Sequence, residues 1–218
     1  MPTPSLDARA LVPILTLALA IPACGDATGP RGAVIVHVAH AAPGAGPFRL
    51  AMNGEVVADG LGTGDALVRT LSGGPYTVSL EGADGEFAVR GRWNAETDRR
   101  LGLVAMNGAD PQLASFDAAN AVAASQVSFR VINAVPADEP LTISVRSADS
   151  GGGISATLGF GTTGGSFGLD AGTYRVSAYA DDPDAAVDLG EVTLGGDVHF
   201  IVVGPDESGT RPGLALAF

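Results

Sequence analysis

The chain repeats itself, and that constrains its fold more than any other feature. Residues 33–54, AVIVHVAHAAPGAGPFRLAMNG, align without a gap on residues 126–147, QVSFRVINAVPADEPLTISVRS. Val34, Val38, Ala41, Pro43 and Pro47 match Val127, Val131, Ala134, Pro136 and Pro140. A second block, LSGGPYTVSL at 71–80, matches LDAGTYRVSA at 169–178, with Tyr76 on Tyr174. Further on, LGLVAM (101–106) matches HFIVVG (199–204), and PQLASF (111–116) matches PGLALAF (212–218). A unit that occurs twice must form one structural element twice.

The matched blocks alternate with period two. Val34, Val36 and Val38 share one face of a first strand, and Val127, Phe129 and Val131 share the same face of its counterpart. Glycine and proline, 31 and 14 of the 218 residues, punctuate the runs, and no stretch combines helical periodicity with caps. Charged residues make up 17% and hydrophobic residues 46%, which suits packed cores rather than a disordered chain. These features predict an all-β protein: two tandem immunoglobulin-like or transthyretin-like β-sandwich domains, each of about seven short strands. Domain 1 is expected over 31–117 and domain 2 over 126–218, with the alanine-rich segment 118–125 as linker.

The first residues read as an address. The apolar run 10–23, ALVPILTLALAIPA, is too short to span a bilayer and suits the core of a signal peptide. It ends in Ile21-Pro22-Ala23-Cys24-Gly25, which resembles the lipobox of bacterial lipoproteins, and Cys24 is the only cysteine. The resemblance implies a signal peptide over 1–23, lipidation of Cys24, and a flexible tether over 24–32. It also implies a membrane partner through the lipid anchor and a place in the bacterial cell envelope. No acid directly follows the cysteine, which by the same resemblance favours the outer membrane.

The pattern Val131-x-Asn133-Ala134-x-Pro136, the glycine-rich turn at 160–167, and Ala171-Gly172-x-Tyr174-x-Val176 resemble the bacterial family known as domain of unknown function 4397. The likeness covers about 31–218. The first repeat departs from it, with His40 in place of asparagine and Pro75 before the tyrosine. The resemblance implies an extracytoplasmic β module and no particular activity.

The net charge of -12 argues against a nucleic-acid partner and against adsorption to anionic lipid headgroups. No cofactor is expected. Four strings carry a chemical look. Gly164-x-Ser166-x-Gly168, with His199 downstream, spells a nucleophile elbow, yet a strand-like sequence follows where that mechanism needs a helix. Ser166 is therefore the nucleophile only of a hydrolase alternative, and no catalytic residue is expected. Gly159-x-Gly161-x-x-Gly164 likewise lacks the helix that a dinucleotide site requires. His37 and His40 lie three apart on a strand and point to opposite faces. Arg130 and Asn133 replace them in the second repeat, which reads as solvent-facing variation rather than a metal site. Asp181, Asp182, Asp184 and Asp188 form an acidic loop and are the weak candidates for calcium; the DxDxDG string and a closing glutamate are missing.

The expected function is a non-catalytic interaction or structural module of the envelope, with an envelope protein or polysaccharide as partner. The alternative is a calcium- or glycan-binding accessory domain. The glycine-rich loops 60–66 and 159–166 are the first places to look for binding. Replacing Cys24 with serine is expected to move the protein from the membrane to the soluble fraction. Intact-mass spectrometry of the wild type checks the claim directly, because a chain carrying no lipid contradicts it.

Overall fold

The structure is a computed structural model. It describes residues 32–82, 88–95, 100–106, 112–117, 125–196 and 198–218. Cys24, the signal segment and nearly all of the linker lie outside the described residues.

Among the described residues each repeat has eight strands, one more than the sequence suggests. In the first they are β1 (Ala33–Ala41), β2 (Phe48–Met52), β3 (Glu55–Leu61), β4 (Ala66–Ser72), β5 (Gly74–Gly82), β6 (Ala88–Ala95), β7 (Arg100–Met106) and β8 (Gln112–Asp117). In the second they are β9 (Gln126–Asn133), β10 (Leu141–Ser147), β11 (Gly153–Leu158), β12 (Phe167–Asp170), β13 (Gly172–Tyr179), β14 (Val187–Leu194), β15 (Phe200–Pro205) and β16 (Pro212–Ala217). The sheets run β4-β1-β7-β8 over β3-β2-β5-β6, and β12-β9-β15-β16 over β11-β10-β13-β14. Numbered within a repeat, both copies have the orders 4-1-7-8 and 3-2-5-6. The chain is thus an all-β tandem sandwich, and the internal alignment matches strand to strand.

In each repeat the first strand pairs antiparallel with the fourth and parallel with the seventh. This places it inside its sheet, with neighbours on both edges. Its even face fills the sandwich: Val34, Val36 and Val38 pack with Phe48, Leu50, Val78 and Leu80. In the second repeat Val127, Phe129 and Val131 pack with Ile143, Val145, Val176 and Ala178.

The opposite face of the same strands is buried as well. Ala39, Ala41, Val104, Met106 and Phe116 of the first repeat join Ile132, Ala134, Phe200, Val202 and Phe218 of the second in a third apolar cluster. Corresponding positions supply both sides of this seam, since Ala41 aligns with Ala134, Val104 with Val202 and Phe116 with Phe218. Strands buried on both faces read as continuous apolar runs, which accounts for the loss of alternation in LGLVAM and HFIVVG. Residues 31–218 accordingly form one compact unit.

The sheets approach closely because glycine stands where they touch. A Cβ placed on Gly102 would lie 3.0 Å from the Phe200 ring, and one on Gly204 would lie 3.1 Å from the Ala41 Cβ. Gly102 and Phe200 are aligned positions, so a ring from one repeat fills the hollow left by its counterpart. Gly102→Leu is expected to overpack the seam and cost about 1–3 kcal/mol. Phe200→Ala leaves a cavity and costs about 3–5 kcal/mol. Urea unfolding of the double variant should show strong coupling, because the leucine occupies the space that the ring vacates. Simple additivity would count against this packing.

Candidate functional site

The loops singled out from the sequence do occupy equivalent places, joining the third strand to the fourth in each repeat. Their backbone groups are turned inward. In the second repeat Gly161 N donates to Asn133 O, Asn133 N to Thr162 O, and Gly164 N to Val131 O. In the first, Gly64 N donates to His40 O and His40 N to Asp65 O. Gly64 and Gly161 have φ of 91° and 67°, backbone that side chains other than glycine rarely adopt. These glycines let the loop fold back on the end of the first strand.

Asn133 is the anchor. It is fully buried; its Nδ2 donates to Leu158 O at 2.9 Å and its Oδ1 accepts from Val135 N at 2.9 Å. The first repeat solves the same problem with an imidazole. His40 is 0% exposed, its Nδ1 accepts from Ala42 N at 3.1 Å, and its Nε2 donates to Gly46 O at 2.9 Å. Both side chains accept from the N–H two residues on, and each donates to a nearby carbonyl, His40 to Gly46 in the link between β1 and β2 and Asn133 to Leu158 at the end of β11. The reading of this position as solvent-facing is therefore overturned. What the sequence presented as surface variation is one buried hydrogen-bonding role filled by two residue types.

The tyrosine of the second motif is a second anchor. Tyr76 Oη donates to Ser72 O at 2.7 Å, and Tyr174 Oη donates to Asp170 O at 2.8 Å. Each tyrosine ties its strand to the carbonyl four residues earlier, across the tight link between the fourth and fifth strands. Burial pushes the Tyr174 phenol up, and the nearby Asp170 charge adds to this.

His37 is also buried, at 2% exposure, on the seam face of β1. Its ring meets His199 edge-on with centroids 5.2 Å apart, and it packs against Phe200 and Phe218. The Arg100 guanidinium contacts His199 Nε2. As expected, His37 and His40 point to opposite faces, and neither is at the surface. His199, the base of the hydrolase alternative, thus stands in the seam. Ser166 lies exposed immediately before β12, so a strand follows it in place of the required helix.

Two of the four carboxylates of the acidic loop are spent locally. Asp182 caps the 3-10 turn Pro183–Ala185 by accepting from Asp184 N at 2.9 Å. Asp188 accepts from Gly190 N and pairs with Arg175 at 3.7 Å. Asp181 and Asp182 line an open groove of about 590 Å³ with Tyr179 and Arg211, and that groove's lining does not include Asp184 or Asp188. Among the described residues no three His, Cys, Asp or Glu side chains are placed to hold a metal ion.

One surface feature escaped the sequence reading. At the end of β5 and β6, Asn53, Pro75, Tyr76, Thr77, Arg92, Trp93 and Asn94 line an open cavity of about 500 Å³. Trp93 stands opposite Tyr76 in the antiparallel ladder, with ring centroids 5.8 Å apart and planes 30° apart. The available signal was the chain's single tryptophan in a segment that has no aromatic counterpart in the second repeat.

The chain matches no known protein family and no curated protein. Among solved structures it is similar to a leucine-rich repeat protein from Bacteroides thetaiotaomicron, at 15% identity and a TM-score of 0.17. That match covers 75% of this chain and 24% of the other. A likeness this slight bears on neither fold nor function.

Burial holds the His40 imidazole below its ordinary value of 6.5, while the bond to Gly46 and the charge of Asp65 oppose the shift only in part. The native state therefore keeps His40 neutral, whereas the unfolded chain takes up a proton as pH falls through about 6.5. The stability that His40 contributes is fully present above that value and is lost progressively below it. A proton on Nδ1 would also meet the Ala42 N–H head-on. Denaturant unfolding between pH 7.5 and pH 5 should show the wild type losing more stability than His40→Asn, which carries the second repeat's anchor. Equal losses would contradict the assignment.

Proposed function

We propose that the chain is a cell-envelope lipoprotein, anchored through Cys24, whose two packed β-sandwiches serve as a non-catalytic interaction or structural module. One observation carries the reading. Most of the residues with a chemical look are taken up by folding: Asn133 and His40 hold neighbouring carbonyls, Asp182 and Asp188 tie turns, and His37 and His199 fill the seam, while Ser166 precedes a strand in place of a helix. What such a chain offers a partner is surface on a stiff support.

Stiffness supports the same reading. The seam fuses two sandwiches of about 90 residues into one body, so loops on either repeat keep a fixed relation to each other. The lipobox-like string at Cys24 and the short segment 24–32 support display of this body from a membrane. The glycan-binding alternative is favoured by one specific observation, the cavity beside Trp93.

Cross-linking in intact cells, followed by pull-down, is expected to recover an envelope protein or polysaccharide. Under the same conditions Ser166→Ala should leave the recovered partners unchanged. Recovery of nothing, where other lipoproteins yield their partners, would overturn the interaction reading. Labelling of Ser166 by a fluorophosphonate would overturn the non-catalytic one.

A further inference from the structure

We propose that the cavity beside Trp93 in the first repeat is a saccharide-binding site, its ligand a segment of polysaccharide laid face-on against the indole. This rests on the reading of the chain as an interaction module and names the site and partner class for it.

The cavity has the two-sided chemistry of a sugar. Its floor is aromatic, with Trp93 and Tyr76 arranged as a shallow, tilted pair. Its rim is polar: Asn53, Thr77, Arg92 and Asn94. A pyranose has an apolar C–H face, suited to the electron-rich face of an indole, and a girdle of hydroxyls that both donate and accept. Amides match those hydroxyls as donor and acceptor, and a guanidinium adds a planar fork of donors. Arg92 is exposed, and among the described residues it has no hydrogen-bond or ion-pair partner, whereas Arg90 on the same strand pairs with Glu81 at 3.6 Å. The volume of about 500 Å³ lies within the range usual for small-ligand sites.

The backbone at the rim is already committed. Asn53 N donates to Thr77 O at 2.8 Å, Thr77 N donates to Asn53 Oδ1 at 2.8 Å, and Asn53 Nδ2 donates to Pro75 O at 3.3 Å. These bonds close the Asn53–Thr77 side of the rim to an added peptide strand; β6 is the edge of its sheet, and the aromatic pair and polar side chains on its face favour a saccharide there. The same bonds hold Asn53 at φ 53°, the only described residue besides glycine with positive φ. Asn53 and Gly54 (φ 83°) form the two-residue turn between β2 and β3, a conformation that this pair adopts readily, and the turn fixes one wall of the cavity in place.

The second repeat acts as an internal control. Tyr174 makes the same bond as Tyr76, but the residue opposite it is Val192, nearly buried. Glu191 stands where the first repeat has Arg92, and Arg175 takes it as a partner. The second sandwich is built with valine at this position, so this type of fold does not require a tryptophan; Trp93 packs one side against the core of the first repeat and turns the rest to the cavity.

Because Trp93 is the chain's only tryptophan, its emission reports on this cavity alone. The full chain in detergent would be titrated with cellohexaose, chitohexaose, xylohexaose and an oligogalacturonate, with Trp93 emission followed and affinity measured by calorimetry. At least one titrant is expected to change the emission saturably. Trp93→Val, which installs the second repeat's residue, should weaken binding at least tenfold in a protein that circular dichroism shows to be folded, its melting temperature lowered by the packing the indole gives up. Trp93→Phe should retain measurable binding, and Arg92→Gln should lose several-fold. Silence of Trp93 towards every titrant overturns the proposal, as does an affinity that survives Trp93→Val in a folded protein. If Trp93→Val cells still yield the wild-type set of cross-linked envelope partners, the cavity is excluded while the interaction module stands. If no partner is recovered from either strain, the module reading itself fails.

Discussion

β1 and β9 must bury both of their faces at once, and the rest of the molecule is arranged around that demand. One face of each strand closes a sandwich; the other presses against the other repeat. Over the later part of each strand every side chain is buried, so even the polar members there need internal partners. The histidine and asparagine near the ends of these strands, and the loops that fold back to meet them, are consequences of that requirement.

Two recurrent anchors translate it into sequence. The asparagine of the N-A-x-P segment fastens the loop between the third and fourth strands, and the tyrosine of A-G-x-Y fastens the link between the fourth and fifth. Tyr174 holds the end of β12 in the sheet that forms the seam, and Asn133 ties β9 of that sheet to the end of β11 in the facing one. The residues that make the two repeats recognisable therefore carry hydrogen bonds that tie their strands to neighbouring carbonyls.

The repeat and the alternation of Val34, Val36 and Val38 made the sandwiches legible, because a period of two with glycine punctuation has few other solutions. The seam was not legible. Its signal was the continuity of HFIVVG and LGLVAM, which a single sandwich with a wet outer face would not need, and continuity alone does not say what covers a strand. The exchange of His40 for Asn133 misled for a related reason. Two residue types at one aligned position look like surface drift unless both can satisfy their polar atoms when buried; here they share the bond accepted from the N–H two residues on and differ in the carbonyl they donate to. The cavity at Trp93 depends on a cross-strand pairing with Tyr76, and composition does not reveal register.

The contact of Phe200 with Gly102 has a bearing on ancestry and assembly. When two identical subunits meet about a twofold axis, the interface must be complementary to itself, so a ring near the axis meets a copy of the same ring. Joining the halves in one chain lifts that condition, and here one half supplies the ring and the other the hollow. Two first repeats brought together would leave a void at this point, and two second repeats would collide. The seam therefore distinguishes left from right. It makes each half the proper mate of the other within one molecule, and a poor mate for its own kind in a neighbouring one.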